Sequence, residues 1–553
     1  MRVLTLTTVI SLFAGSLVAA PLREAETNSV SFEGVYQSIF EKDNPGVSGQ
    51  PLYSVSSIKQ FYEARVFKPA WSKDGLLSDD AVEMLHSVES ADREGLKPDE
   101  YHLAVLQRMV KEIRADNAKK RSVKPLKLFH LDLLLTDAFL TYGSHLLAGR
   151  IRPVDSDWVA HERSAHLPTL LEEAFRAGSV RNMLKSLLPT QSYYSRLRIA
   201  LDRYRKIERE GGWEQVGKGA PLKPGMDDDR VPVLRRRLEK EGDFRAIVSS
   251  TGTVYDEALA RGVMEFQERH GLDADGVIGK TTVDALNVPV QNRVRQIVLN
   301  MERCRWLPAE MGSRYIVVNV ANFSLDVVEN GETALNMKVV VGKPYRRTPV
   351  FSSTVTYMVL NPMWFVPRKI AGMDILDHIR EEPDYLQKMG FTVYREGDES
   401  GKPVDHTTVD WSKYTLETLD YRFQQAPGAQ NALGRIKFIF PNEFDVYLHD
   451  TPSRELFKKT VRDFSSGCIR VEKPLELAVH LMQSSTWNRE ALEAALAKKK
   501  EQFVPLARPI PVHLLYWTAW GDAKGRVQFR DDIYGRDEPL SHALKGALTH
   551  DQH

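Results

Sequence analysis

Tyr315-Ile316-Val317-Val318-Asn319-Val320 marks a change in the pattern of the chain. Phe323-Ser324-Leu325-Asp326-Val327-Val328 follows with apolar and polar residues alternating, then Glu329-Asn330-Gly331 and the apolar run Met337-Lys338-Val339-Val340-Val341. Alternation at period two marks a strand with one face in a core, and Asn-Gly between two such runs signals a hairpin, since both residues tolerate the positive φ of a tight turn. The spacing predicts further strands over Ser353–Leu360, Ile436–Phe440 and Phe444–Leu448, a helix from Pro474 to Met482, and closing strands over Val512–Trp520 and Arg526–Phe529. Between Phe365 and about Gln430, helical patches and charged turns interrupt the strands as an insertion placed to fold over a site as a lid.

Upstream of this β-rich region the periodicity is helical. Leu131, Leu134, Leu135, Ala138, Phe139 and Tyr142 share one face at 3.6 spacing. Trp71, Gly95-Leu96-Lys97-Pro98 and Leu146-Leu147-Ala148-Gly149-Arg150 read as packing and turn devices, and this stretch is read as a scaffold. The segment Gly217 to Gly225 with Asp227-Asp228-Asp229 is a polar linker. After it, Val233, Leu234 and Leu238 give one short helix, Ala258, Val263 and Phe266 a second, and Lys280 to Asn287 a third, with a turn at Gly271-Leu272-Asp273-Ala274-Asp275-Gly276-Val277-Ile278-Gly279. A calcium loop is excluded, because the alternating carboxylates and the closing Glu are missing.

A chain of 553 residues exceeds what one core of about 250–300 residues can bury. The 75 Lys and Arg balance 74 Asp and Glu, which argues against nucleic acid as the main partner. The first twenty residues, with Arg2 and then an almost wholly apolar run to Ala20, read as a signal peptide, with an uncleaved membrane anchor as the alternative. Pro21 makes a cut after Ala20 imperfect. An exported chain with two cysteines raises the possibility of a disulfide, but a buried, inert Cys304 on a helix and a free, working Cys468 fit better.

The chemistry concentrates in Tyr447-Leu448-His449-Asp450-Thr451-Pro452 and Phe464-Ser465-Ser466-Gly467-Cys468-Ile469-Arg470. A thiol becomes a nucleophile when an imidazole takes its proton and forms an ion pair. Gly467 permits a tight turn whose N–H groups can face an oxyanion. Arg470, two residues past Cys468 in an extended segment, faces the same side and can hold a carboxylate. On spacing alone a structural Gly-Cys and an ordinary His remain open, as does a zinc site of His449, Cys468 and His480, though no metal-ligand spacing supports it.

These residues resemble the active site of the L,D-transpeptidases, the YkuD-type catalytic domain: a His, then Ser/Thr-x-Gly-Cys, an apolar residue and Arg or Asn. His449, Ser465-Ser466-Gly467-Cys468 and Ile469-Arg470 follow that order; Ser466 stands where His is frequent. Val339 to Pro344 with Thr348-Pro349-Val350-Phe351, and Asn431-Ala432-Leu433-Gly434-x-x-Lys437-Phe438, also match. Phe266-Gln267, Gly271-Leu272, Asp275-Gly276, Gly279 and Leu286 resemble the small peptidoglycan-binding module of wall enzymes. The order of parts is similar to the large periplasmic members from Gram-negative bacteria.

The resemblance implies a multidomain α+β chain: signal peptide 1–20, helical scaffold 21–225, peptidoglycan-binding-like module 226–290, and catalytic domain 291–545 with a capping insertion at about 365–430. It implies that Cys468 attacks a tetrapeptide donor stem, releases D-Ala and leaves a thioester, which a diamino-acid amine resolves to a 3→3 cross-link. His449 is the implied base. Gly467, Ser466 and Tyr447 form the oxyanion and orienting set, and Arg470, Ser465 and Trp364 bind substrate. No cofactor or metal is implied; carbapenems are expected to acylate Cys468, and other wall-synthesis enzymes are candidate partners. The alternatives are a Cys/His amidase or carboxypeptidase, and a catalytically silent wall-binding scaffold.

Overall fold

The structure, a computed structural model, describes residues 31–245, 252–483 and 486–546. The expected signal segment lies outside the described residues, among which no helix is long and apolar enough to cross a membrane. Three structural regions follow one another: a helical region, a small helical module and a β-rich domain.

The helical region is built round Pro125–Ala148, which starts on a proline, where a missing N–H costs nothing, and stops at Gly149. This helix is buried on nearly every side, so its polar residues must be satisfied internally. Asp132 accepts the Tyr62 hydroxyl at 2.6 Å and the Trp71 N–H at 2.8 Å. Asp137 accepts the Ser54 N–H at 2.7 Å and lies 2.6 Å from His102 Nε2.

The module begins earlier than the sequence suggests. Val216 and Leu222, in and beside the apparent linker, are buried in its core, and Leu222 forms an antiparallel bridge with Ile278. Gln267 explains the motif around it. Its amide donates to Asp275 Oδ1 and the Val277 carbonyl, both at 3.0 Å, and its Oε1 accepts the Gly276 N–H at 2.9 Å. Asp275 therefore closes a turn.

The β-rich domain has nine strands in its main sheet: β1 (Arg314–Asn319), β2 (Ser324–Glu329), β3 (Glu332–Gly342), β4 (Phe351–Leu360), β5 (Ile436–Ile439), β6 (Leu448–His449), β7 (Asp463–Ser465), β8 (Ile469–Val471) and β9 (Gln502–Leu515). Their order is β7-β3-β8-β6-β5-β4-β9-β1-β2, and β2 pairs back with β3 through the hairpin at Asn330-Gly331, where φ is 51° and 85°. On β3, the Val339 N–H donates to Phe323 O on one side while Lys338 O accepts the Glu472 N–H on the other. Both edges of β3 are filled, so the pairings close into a ring that leaves few open edges. Val318, Leu325, Val339, Phe438, Leu448 and Ile469 lie in its core.

Two elements differ from the spacing. The strand expected over Phe444–Leu448 shrinks to Leu448–His449: the Asn442 side chain captures the Phe444 and Val446 N–H groups, and Asp445 takes φ 53°. Val512–Trp520 instead belongs to two strands, the 14-residue β9 and Ala519–Gly521. Pro505, Pro509 and Pro511 obscure β9, since proline cannot donate to a ladder. They are tolerated because the register shifts between Pro505 and Ile510, and because β9 acquires its second neighbour, β1, only from Val512.

The insertion folds on its own core of Ile375, Leu376, Leu386, Val393 and Phe423. Its three-stranded sheet takes Trp364–Phe365, Phe391–Arg395 and Tyr421–Gln425, so it starts one residue before the expected boundary. Asn431 closes its base by donating to the Pro362 carbonyl at 3.0 Å and to that of Gln425 at 3.2 Å.

Gly434 follows this base at φ 62°, and a Cβ there would meet Asp450 Cβ, Cγ and Oδ2 at 2.5 Å. Gly434→Ala is expected to destabilise the domain by about 2–4 kcal/mol, joining roughly 1 kcal/mol of backbone strain to overpacking of roughly 1–3. A lower denaturant midpoint measured by intrinsic fluorescence checks this.

Candidate active site

The site is set by register. Lys437 on β5 pairs with His449 on β6, and His449 pairs with Arg470 on β8, which makes one row across three strands. The next row, Phe438, Leu448 and Ile469, is buried in the core. One step further along, Tyr447 falls opposite Cys468, and the Tyr447 carbonyl accepts the Ile469 N–H at 3.1 Å. Because side chains alternate faces, Lys437, His449, Arg470, Tyr447 and Cys468 share the face away from the core. The Tyr447 and His449 ring centroids are 5.6 Å apart, and Lys437 Nζ stands 3.7 Å from the Tyr447 centroid.

His449 Nδ1 lies 2.6 Å from the Asp450 carbonyl. A carbonyl only accepts, so Nδ1 carries the proton and Nε2 is left as a base. Burial, then the Arg470 guanidinium, pulls the imidazole down to about 3, and Lys437 adds to this while the Asp450 and Leu433 carbonyls oppose it. Burial pushes the Cys468 thiol up; the Tyr447 N–H, Lys437, the Tyr447 hydroxyl and Arg470 pull the other way. The thiol lies 3.9 Å from the Asp445 carbonyl. Both shifts favour the uncharged forms, a thiol and an imidazole, on this shared face, whereas the sequence suggested an ion pair.

The turn before Cys468 is held from several directions. Gly467 has φ 120°, a region closed to side-chain-bearing residues, although a Cβ would have room, its nearest neighbour being Arg347 O at 3.6 Å. The requirement for glycine is therefore conformational. Ser465 Oγ donates to the Cys468 carbonyl at 2.5 Å and accepts the Gly467 N–H at 3.2 Å. The Thr348 hydroxyl donates to the Gly467 carbonyl at 2.8 Å.

Two expectations change here. Ser465 is buried and builds the turn, so it does not face substrate. The Gly467 N–H is committed to Ser465, whereas the described residues supply no acceptor for the Cys468 N–H, which makes the latter the candidate oxyanion donor.

Ser466 accepts a hydrogen bond from Arg346 at 2.8 Å, and Arg346 also pairs with Asp374 of the insertion. The insertion is thereby tied directly to the residue before Gly467. Trp364, implied as a substrate contact, packs within the insertion, 6.0 Å from the Phe391 ring. His480 bonds Glu329 at 3.0 Å, which removes it from the zinc set, and no group of three or more His, Cys, Asp or Glu among the described residues is placed to hold a metal ion. Cys304 is free and fully buried, its thiol pushed up to about 12 by burial. Sequence reasoning missed Lys437, Arg346 and Thr348 as site residues. Lys437 was signalled as the polar member of Ile436-Lys437-Phe438-Ile439, but its pairing with His449 is a tertiary fact.

Known protein families match three stretches of the chain. Residues 313–488 match the family model of the YkuD-type L,D-transpeptidase catalytic domain, residues 227–286 that of the "Putative peptidoglycan binding domain", and residues 56–201 that of a scaffold domain. The β-rich region is an L,D-transpeptidase catalytic domain of the YkuD type. The chain joins it to a helical scaffold domain and a domain of the peptidoglycan-binding type. A "Putative L,D-transpeptidase" of Haemophilus influenzae is 34% identical over 250 residues, 45% of this chain and 50% of that protein, so the chain spans about half the length of this curated relative. Solved L,D-transpeptidases of Mycobacterium smegmatis (13% identity, 37% of this chain and 58% of that one, TM-score 0.18) and Xylanimonas cellulosilytica (15%, 54% and 99%, TM-score 0.18) were also found. At such scores the overlay carries no argument beyond the domain match.

The rate of Cys468 alkylation by iodoacetamide is expected to rise with pH between about pH 6 and 9, because only the thiolate reacts and its formation is held above the ordinary thiol range. A preformed ion pair would instead give a rate already on a plateau at the acidic end. Gly467→Ala should cost about 1–3 kcal/mol of stability from the strained backbone, with slower alkylation of Cys468, read by thermal melting and intact mass.

Proposed function

We propose that the protein is a cysteine acyltransferase of the bacterial cell wall that forms 3→3 cross-links in peptidoglycan. The observation that carries this reading is the shared face on which Cys468, Tyr447, His449 and Arg470 meet beside the Gly467 turn. His449 Nε2 takes the thiol proton as Sγ attacks the carbonyl carbon of the diamino-acid L-centre in a tetrapeptide stem. The carbonyl π electrons pass to oxygen, and the Cys468 N–H stabilises that oxyanion. Collapse breaks the C–N bond, His449 returns the proton to the leaving amine, and D-Ala departs, leaving a thioester. The side-chain amine of a second stem then attacks; His449 accepts its proton and passes it to the departing thiolate.

Keeping His449 neutral suits this scheme, since a general base must be unprotonated before the attack. Arg470 has no carboxylate partner among the described residues and its Nε is buried without a hydrogen bond, so it is free to hold a carboxylate of the donor. The insertion, held by Asp374 to Arg346, helps exclude water from the thioester. A wall substrate places the protein in the periplasm, where the peptidoglycan-binding-type module can hold it against the wall.

Incubation with a stem tetrapeptide should add the tripeptide acyl mass to Cys468 and release D-Ala, and Cys468→Ala should abolish both while melting normally. Absence of an adduct on the intact protein would overturn the reading. Free tripeptide in place of cross-linked dimers would assign a carboxypeptidase.

A further inference from the structure

Lys437 is the residue of the active face for which the acyl-transfer scheme has no use. It stands opposite His449 on the neighbouring strand, so the imidazole is bracketed by Lys437 on one side and Arg470 on the other. Its ammonium lies 3.7 Å from the Tyr447 ring, whose hydroxyl reaches the Cys468 sulfur. Lys437 is half-buried, and burial lowers its proton affinity. Among the described residues no carboxylate forms an ion pair with it: Glu501 and Asp445 act on it only at longer range, and Glu501 accepts the Met363 N–H at 2.8 Å.

A partly desolvated cation without a counter-ion is costly. Elsewhere buried cations of this chain have oxygen partners: carboxylates for Arg237 with Glu241 at 2.5 Å, Arg305 with Glu302 at 2.7 Å and Arg303 with Asp537 at 2.6 Å, and carbonyls for Arg462, with Val339 O at 3.2 Å and Phe323 O at 3.0 Å. The active face keeps two without carboxylates, in one row with His449 between them. The ring of Tyr447 offsets part of the cost for Lys437 but neutralises no charge. Neighbouring strands lie roughly 4.8 Å apart, so the two cation-bearing backbones are separated by roughly 10 Å, enough for each to engage a different carboxylate of one bound peptide.

We propose that Lys437 is a specificity-determining residue that binds a second carboxylate of the donor stem, so that the site selects donors whose diamino acid carries a free side-chain carboxylate as well as the terminal one. This rests on the transpeptidase reading above. In this arrangement Arg470 and Lys437 each receive one carboxylate, and a donor with lysine or an amidated centre at the diamino-acid position leaves one cation unpaired. The bound peptide supplies the counter-charge that the fold withholds.

The test is a cycle of two enzymes and two donors on the full chain. Acyl-enzyme formation at Cys468 is followed by intact mass for a tetrapeptide with a free side-chain carboxylate and for the same peptide amidated there. The wild type should favour the free carboxylate by roughly ten- to a hundredfold in kcat/KM, the scale of one charge-assisted hydrogen bond. Lys437→Gln should erase that preference, mainly through KM, and Lys437→Arg should keep most of it. Equal losses on both donors in Lys437→Gln would show that Lys437 only tunes the dyad or supports the fold, and would overturn the inference. A preference that survives unchanged in Lys437→Gln would overturn it as well. If the wild type acylates on neither donor, the transpeptidase reading itself falls, a result distinct from either of these.

Discussion

The parallel pairing of Leu448 with Ile469 and of His449 with Arg470 is the contact on which the rest of the site depends. Parallel neighbours cannot be joined by a tight turn, so the chain must leave β6, travel through residues 450–462 and return. That excursion is braced. Arg454 pairs with Asp450 at 3.0 Å, and Arg462 donates to Val339 O at 3.2 Å and Phe323 O at 3.0 Å. A slip of one residue in the pairing would send His449 and Cys468 into the core and bring Leu448 and Ile469 out. Those two leucine-like side chains are fully buried, which makes the slipped register prohibitively unfavourable. The same apolar burial that holds the barrel together thus decides which side chains meet at the nucleophile.

Once the row is fixed, its electrostatics follow. Two cations flank one imidazole in a partly desolvated place, and both oppose its protonation. They also favour the thiolate, but burial of Cys468 outweighs them and holds its thiol above the ordinary range. The proposed base is thereby kept unprotonated and the proposed nucleophile is favoured as a thiol, the form less open to oxidation. Cys304 is protected in a different way, by complete burial on the helix Val290–Arg305.

The periodicity of Phe323–Val328 and the Asn330-Gly331 turn was enough to read a hairpin, because both are local rules. The Ser-x-Gly-Cys segment and His449 left their chemistry open on spacing alone, and their roles were implied only by a resemblance to a family. What escaped has non-local causes. β9 is hidden by three prolines whose tolerance depends on a bulge and a missing neighbour. Lys437 was quoted only as part of a family-like segment, and its place beside His449 is known only from the strand pairing. The family resemblance implied Ser465 as a substrate contact, whereas its burial beneath the turn is decided by the strand pairing of β7 with β3. The early start of the module is hidden for a similar reason: Leu222 sits among Gly, Pro and Lys, and only its bridge to Ile278 draws it into a core.

The turn that carries Cys468 also ties the catalytic domain to the helical region. Thr348 holds the Gly467 carbonyl, and its own N–H donates to the Tyr534 hydroxyl at 3.2 Å, which in turn donates to Gly342 O at 2.6 Å. Two residues on, Val350 forms a parallel bridge with Trp158, with the Val350 N–H donating to Asp157 O at 2.9 Å and its carbonyl accepting the Val159 N–H at 2.8 Å. Asp157 pairs with the buried Arg536 at 2.5 Å. A strap from the helical region is therefore one of the supports of the loop that positions Gly467. The helical region acts as a structural member of the active site, because removing it would leave Val350 unpaired and Arg536 buried without its carboxylate, two defects within a few residues of the nucleophile's own hydrogen bonds.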